Sequence, residues 1–511
     1  MSAVPLATPS VVPQTPSARW TRLFTPSVAD CFSAALLIWL FASGAYGWMG
    51  LLGDGDTGWH IRTGEYILDN RTVPAADFFS YTKPGEPWFA WEWLSATIMG
   101  ALHRFAGLKA VVLGASLVII AFSTILLRQM IWRGSNLYAA LVLSLLGIGA
   151  SSIHYLARPH LSTLVLLPSC LWLVERDRRQ RTRAVWLLVP VTAVWVNLHG
   201  GFLALVTCLG LLAVGSIAER RRGDAMRYGA LAAACASVSI LNPYGYHLHA
   251  HLWEYLRSDW IRKVVIEFQS PSFRGESVFQ FEILLFLALG SAGLMLTRRR
   301  FVEPLWILFW AHQALVSARH ITVFVAVAVP IIAAECTILW DRWAARVPRS
   351  SVPGILDSLA RDRVSGFRWN SFWVLAPIVV LASSSAPSIN WPTDFPEKLF
   401  PTELIARHEE SISRSRVFTA DDWADYLLYR HYPRQKVFFD GRSDFYGSKL
   451  GDEFIRICRG GHDWEQLLDR YQVGVVLVPA DWALASLLKG RSGWKLIEDN
   501  GKAIIFERLA P

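Results

Sequence analysis

Residues 36–60 read LLIWLFASGAYGWMGLLGDGDTGWH, a segment apolar enough to lie in lipid that ends directly on two aspartates, a tryptophan and a histidine. A chain that leaves a hydrocarbon layer and at once presents Asp54 and Asp56 puts two carboxylates at a boundary where charge is poorly solvated. Glycines at 53, 55 and 58 free the backbone there to turn back toward the bilayer. Which side of the membrane this stretch faces decides how the rest of the chain is threaded.

The chain has 511 residues, 53% of them hydrophobic and only 18% charged, with 24 Trp, and a mean hydropathy of +0.31. A soluble chain of this length has no use for so large an apolar share, so the solvent is a bilayer. The net charge of +9 comes from Arg in short runs between apolar segments. That is the positive-inside pattern, and it argues against nucleic acid as a partner. Apolar segments run over 31–52, 108–127, 137–153, 161–174, 184–196, 202–218, 228–241, 278–297, 305–316, 321–340 and 372–386. The expected fold class is therefore a polytopic α-helical membrane protein of about eleven transmembrane helices.

The Arg-rich connections are Arg19 and Arg22, Arg128 and Arg133, 175–183 (ERDRRQRTR), 219–227 (ERRRGDAMR), 298–300, and a linker with Arg342, Arg346, Arg361, Arg363 and Arg368. All fall on the cytoplasmic side only if segment 91–105, WEWLSATIMGALHRF, does not cross. With Glu92, His103, Arg104 and two Trp, that segment reads as an amphipathic helix lying in the interface. Residues 1–30 are then a Pro-rich, disordered cytoplasmic tail with no cleavage site, and 31–386 form the transmembrane module. A large first external loop spans 53–107. HYLARPH (154–160), NLHGG (197–201), 242–277, SARH (317–320) and everything after 386 also face outward, the periplasmic side of an inner membrane. In residues 387–511 the β-type runs VFTA, KVFFDG, VGVVLVP and KAIIFERL alternate with the helical patterns DWADYLLYRHY and DWEQLLDRY, as in a small external α/β domain. Of the six cysteines only Cys458 lies outside apolar spans, and no disulfide framework or CxxC metal site is present.

Asp54 and Asp56 have the residue type and position of a general base, because partial desolvation raises a carboxyl pKa. Their D-x-D spacing also suits chelation of a divalent cation, Mg or Mn. SARH is a polar break between apolar helices, where a charge such as Arg319 is costly unless it serves a site. Asn197 and His199 interrupt an apolar helical pair, which fits an interhelical hydrogen bond as well as a ligand role. His247 and His251 share a helical face but lack a third metal ligand. Trp88, Trp91 and Trp93 suit either sugar stacking or anchoring in the headgroup layer. In the external domain Asp421, Asp422, Asp440, Arg442 and Asp444 mark its most distinctive strings, in part through turn chemistry at Asp440-Gly441.

Residues 54–94, DGDTGWHIRTGEYILDNRTVPAADFFSYTKPGEPWFAWEWL, run from the acidic pair through an amphipathic helix and a Pro-containing turn to the interfacial helix. In layout this resembles the GT-C superfamily of membrane glycosyltransferases, which includes protein O-mannosyltransferases, aminoarabinose transferases and family 39-like bacterial enzymes. The resemblance covers about 31–340. It implies transfer of a sugar from a polyprenyl-phosphate-linked donor to a glycan, lipid or protein acceptor, with inversion at the anomeric carbon. The mannosyltransferases carry Asp-Glu where this chain has Asp56-Thr57, so the resemblance leaves the catalytic position to Asp54 or Asp56, with Asp56 favoured. The second external loop offers His154, Arg158 and His160 where several relatives have another acid. Arg158, Arg319 and His320 are the candidates for the donor phosphate, and His60, Glu92, Trp91 and His199 for other substrate contacts. Two rival readings are a transporter or flippase of lipid-linked substrates, and a non-catalytic assembly or receptor protein in which the aspartates only cap a helix.

Overall fold

The computed structural model describes residues 23–43, 46–364, 370–384 and 386–509. Most of the expected tail, with Arg19 and Arg22, and the linker residue Arg368 therefore lie outside the described residues. The described chain is mostly helical. Length and composition mark four helices as able to cross a membrane, Trp93–Trp132, Leu137–His154, Ser277–Thr297 and Ala318–Ala344. Val28–Ala42, Arg183–Trp195, Phe202–Ala218 and Phe372–Ser383 are shorter apolar helices. The three remaining apolar segments are helical as well, within Leu161–Arg179, Arg222–Val238 and Val302–Val316.

Among the described residues, four of the Arg-rich connections, those of Arg133, Arg178, Arg227 and Arg298, are held by ion pairs to neighbouring helices. Arg133 pairs with Glu175, Arg178 with Glu303, Arg227 with Asp177 and Arg298 with Glu335, all at 2.7–2.9 Å. Helix Leu161–Arg179 has this cluster at its C-terminal end and His160 at the other. The polar residues expected to face outward meet at that second end.

Two helices carry the first loop, α1 (Asp56–Asn70) and α2 (Trp93–Trp132). Helical hydrogen bonding in α2 runs on from the expected interfacial segment into the first long span, but Gly107, at φ 64° and ψ −155°, breaks its course. Only glycine enters that region freely. The arm 93–105 thereby leaves the axis of 108–132 and lies on α1, with Ile98 and Phe105 exposed on its outer side. Close approach depends on Gly64 and Gly100, since a Cβ on Gly64 would overlap the Ala96 carbonyl.

The C-terminal segment has a four-stranded sheet of β1 (Val417–Thr419), β2 (Val475–Pro479), β3 (Trp494–Asp499) and β4 (Ala503–Arg508), in the order β1-β2-β4-β3. β1 and β2 are parallel, with Val417 opposite Val475, and the other two pairings are antiparallel. Three of the expected strand runs are strands, but KVFFDG is not. Its Val437 makes only single bridges, to Ser80 and Val417, while Phe438 and Phe439 turn into an aromatic cluster with Phe418 and Phe454. β3 was not expected, because WKLIED is largely exposed and shows no apolar alternation. The sheet is bound to the first loop. Tyr81 Oη donates to the Val417 carbonyl at 2.9 Å, Thr82 Oγ1 to Phe438 at 2.7 Å and Lys83 Nζ to Phe445 at 3.0 Å.

Candidate functional site

Asp54 and Asp56 stand on the tight turn that opens α1. The Asp56 amide donates to Asp54 Oδ1 at 2.8 Å, and Trp59, one helical turn on, donates from Nε1 to Asp56 Oδ1 at 3.0 Å. The second loop is tied to the first through backbone. The Ala157 amide donates to Leu51, and Thr57 Oγ1 to the Ala157 carbonyl. This delivers Arg158, whose Nη1 meets Asp54 Oδ2 at 2.8 Å and Glu267 Oε1 at 2.7 Å, and whose Nη2 meets Asp56 Oδ2 at 2.6 Å. Glu267 sits in the turn Ile266–Phe268, held by a hydrogen bond from Ser317 Oγ to its carbonyl. Burial pushes the Asp56 carboxyl up to about 7, with Arg158 opposing and Asp54 and Glu267 reinforcing the rise. The Arg158 guanidinium holds Glu267 well below the usual carboxylate range.

Glu92, just before the arm of α2, lies between two imidazoles, with His60 Nε2 at 3.4 Å and His199 Nε2 at 3.6 Å. His199 Nδ1 accepts from the Gly201 amide at 3.0 Å, so its proton is on Nε2 and faces Glu92. Burial keeps both histidines well below their ordinary pKa and raises Glu92 to about 8. A folded-state pKa above the unfolded value means that stability is lost as pH rises between the two, at about 1.4 kcal/mol per unit. Glu92→Gln removes this loss. Its melting temperature relative to wild type is expected to climb from mildly acidic pH up to about pH 8 and then level off; a pH-independent difference would refute the raised pKa.

Asp56, His60, Glu92, Arg158, His199 and Glu267 line one cavity of about 640 Å³, together with Trp91, His160, Arg319, His320 and, from the C-terminal segment, Gly441, Arg442 and Asp444. One wall is apolar and runs between helices through Leu203, Ala204, Phe309, Trp310 and Val323. Arg319 lies over the Phe268 ring at 4.3 Å, and among the described residues no carboxylate is within ion-pair distance of it. Among the described residues, the buried Nδ1 atoms of His60 and His320 have no hydrogen-bond partner. The Arg158 fork, expected at a phosphate, is engaged by the three carboxylates.

Other expected residues separate. His251 Nε2 meets Asp444 Oδ2 at 2.9 Å and His249 meets Ser239, while His247 packs on Tyr246, so the three histidines share no point. Trp93 Nε1 donates to Asn197 Oδ1 at 2.7 Å, which gives both an interhelical role. Trp88 is buried under the Arg442 guanidinium, and Trp91 reaches Asp444. Asp421 stands at the start of α3 (Asp421–His431), and Asp422 Oδ1 accepts from the Gly55 amide. Sequence reasoning missed Glu267, Gly441 and the contact of Asp444 with the cavity. Gly441 is required where it stands, because a Cβ there would overlap the Asp56 carboxylate.

The D-x-D pair does not fit a divalent ion as it stands. All four of its carboxylate oxygens already accept from the chain, two from Arg158, one from Trp59 and one from the Asp56 amide. Among the described residues no group of three or more His, Cys, Asp or Glu is placed to hold a metal ion.

No protein-family model matches the chain, and no curated protein sequence does. Solved structures do. The apo oligosaccharyltransferase of Archaeoglobus fulgidus superposes with a TM-score of 0.52 at 13% identity, over 90% of this chain and 69% of that one. The same organism's oligosaccharyltransferase AglB, in complex with an inhibitory peptide and a dolichol-phosphate, gives 0.54 at 14% identity, over 96% and 74%. A form tethered to an acceptor peptide containing the NVT sequon gives 0.54 at 13%, over 94% and 74%. The chain thus shares the fold of these archaeal structures.

Proposed function

We propose that the chain is an inverting membrane glycosyltransferase that moves a sugar from a polyprenyl-phosphate-linked donor to an acceptor on the external face of the inner membrane. The observation that carries this reading is the cavity itself. A buried carboxyl poised near neutrality, a cation without a carboxylate partner and an apolar wall between helices all open on one space. In the proposed mechanism an acceptor hydroxyl attacks the anomeric carbon. Asp56 takes the hydroxyl proton as the new C–O bond forms, and the bond to the lipid phosphate breaks with its electron pair on the phosphate oxygen. Arg319, with the imidazoles of His160 and His320, is assigned to that phosphate. The apolar wall is assigned to the first isoprene units. The dolichol-phosphate bound by the archaeal structure supports a lipid-linked donor, and its peptide makes protein one acceptor class to test. The eleven helical apolar segments would then all cross, with 1–30 cytoplasmic and 387–511 periplasmic. A flippase would need charges near the bilayer middle, whereas the charges here gather at the two ends of the bundle.

Native mass spectrometry of the detergent-purified chain with polyprenyl phosphate tests the donor site. Wild type is expected to retain the lipid and Arg319→Ala to retain about a tenth as much, the loss of one charge-assisted contact. Equal retention by both would count against the assignment.

A further inference from the structure

Three carboxylates from distant parts of the chain converge on one point: Asp54 and Asp56 of the first loop, and Glu267 more than 200 residues later. Acid side chains are also the donors a hard divalent cation takes, although as they stand around Arg158 these three are not placed to hold one. At that centre is the Arg158 guanidinium, touching one oxygen of each at 2.6–2.8 Å. These are charge-assisted hydrogen-bond distances. Arg158 is itself positioned by the backbone bonds that join its loop to Leu51 and Thr57. The remaining oxygens of Asp54 and Asp56 accept from the Asp56 amide and Trp59. All four carboxylate oxygens of Asp54 and Asp56, and one of Glu267, are therefore engaged by the chain itself.

We propose that Arg158 is a resident cation occupying the place of a divalent metal, so that the chain gathers and orients its catalytic carboxylates with its own guanidinium. Arg158 is a positioning residue in this account, acting through Asp56. That transfer needs no divalent ion rests on the glycosyltransferase reading above; the identity of the cation at the three-carboxylate centre does not.

The first readout is therefore independent of turnover. Free Mn²⁺ is followed by its electron paramagnetic resonance signal during titration of the full-length chain in detergent. Wild type is expected to show no saturable site. Arg158→Ala, checked for a cooperative melting transition, is expected to take up one equivalent through Asp54, Asp56 and Glu267 and to lose it again on addition of Asp54→Asn. Arg158→Lys, which keeps the charge, is expected to behave as wild type. A saturable wild-type site abolished by Asp54→Asn would overturn the proposal, as would a folded Arg158→Ala that binds no Mn²⁺. If Arg158→Ala does not fold, the wild-type titration decides alone. Once transfer is measured, exhaustive chelation should leave its rate unchanged; loss of rate on chelation, restored by Mn²⁺ or Mg²⁺, would also overturn it.

Discussion

Asp56→Asn is expected to lower kcat/KM for sugar transfer about 10³-fold, the usual contribution of a positioned general base. The substitution keeps the size of the side chain, and an amide oxygen can still accept from Trp59, so the fold should persist. It cannot take the acceptor's proton at neutral pH. Asp54→Asn should cost less, about tenfold, because Asp54 lies outside the cavity lining and acts through the turn amide and Arg158. Parallel kinetics of the two variants at equal folded amounts check this. Equal losses would mean that the pair acts as a unit, and retention by Asp56→Asn would remove it from the role of base.

The second large effect concerns how the C-terminal segment holds the site. Arg442 is almost fully buried, and its fork meets Asp440 at 2.6 Å and Asp77 of the first loop at 2.8 Å, over the ring of Trp88. Neither aspartate is exposed to solvent. Arg442→Ala strands two buried carboxylates, which is expected to cost about 3–5 kcal/mol, read as a fall in the thermal unfolding transition. Arg442→Lys should recover only part, since a point charge cannot reproduce the bidentate contact of Nε and Nη2 with Asp440. An unchanged transition in Arg442→Ala would show that the first loop and the C-terminal segment are held together by other contacts.

The membrane character, the separate course of 91–105 and most of the ionisable residues around the cavity were legible in the sequence. Charge alternation demanded that all the polar breaks between apolar helices end on one side, and the structure brings Asp56, His60, Glu92, Arg158, His199 and Arg319 to one cavity. Glu267 was not legible, because its neighbours KVVIEFQS carry no motif and its partner lies in a loop more than 100 residues earlier. The commitment of Arg158 to carboxylates was likewise hidden, since a guanidinium suits phosphate and carboxylate equally well. In the C-terminal segment the DGRSD string was conspicuous, but its use was not. Only in three dimensions does Arg442 pair with both Asp440 and Asp77, leaving Gly441 against Asp56 and Asp444 facing the cavity. β3 escaped notice because an edge strand open to water needs little apolar alternation.

The most direct test of the account is the pH profile of kcat/KM for transfer of radiolabelled sugar from a polyprenyl-phosphate donor by the wild-type protein. A base must be ionised to act, so activity should rise with pH through an acid limb near the value of about 7 to which burial lifts Asp56. A profile flat from about pH 5 to pH 9, or no transfer from any such donor, would contradict the account.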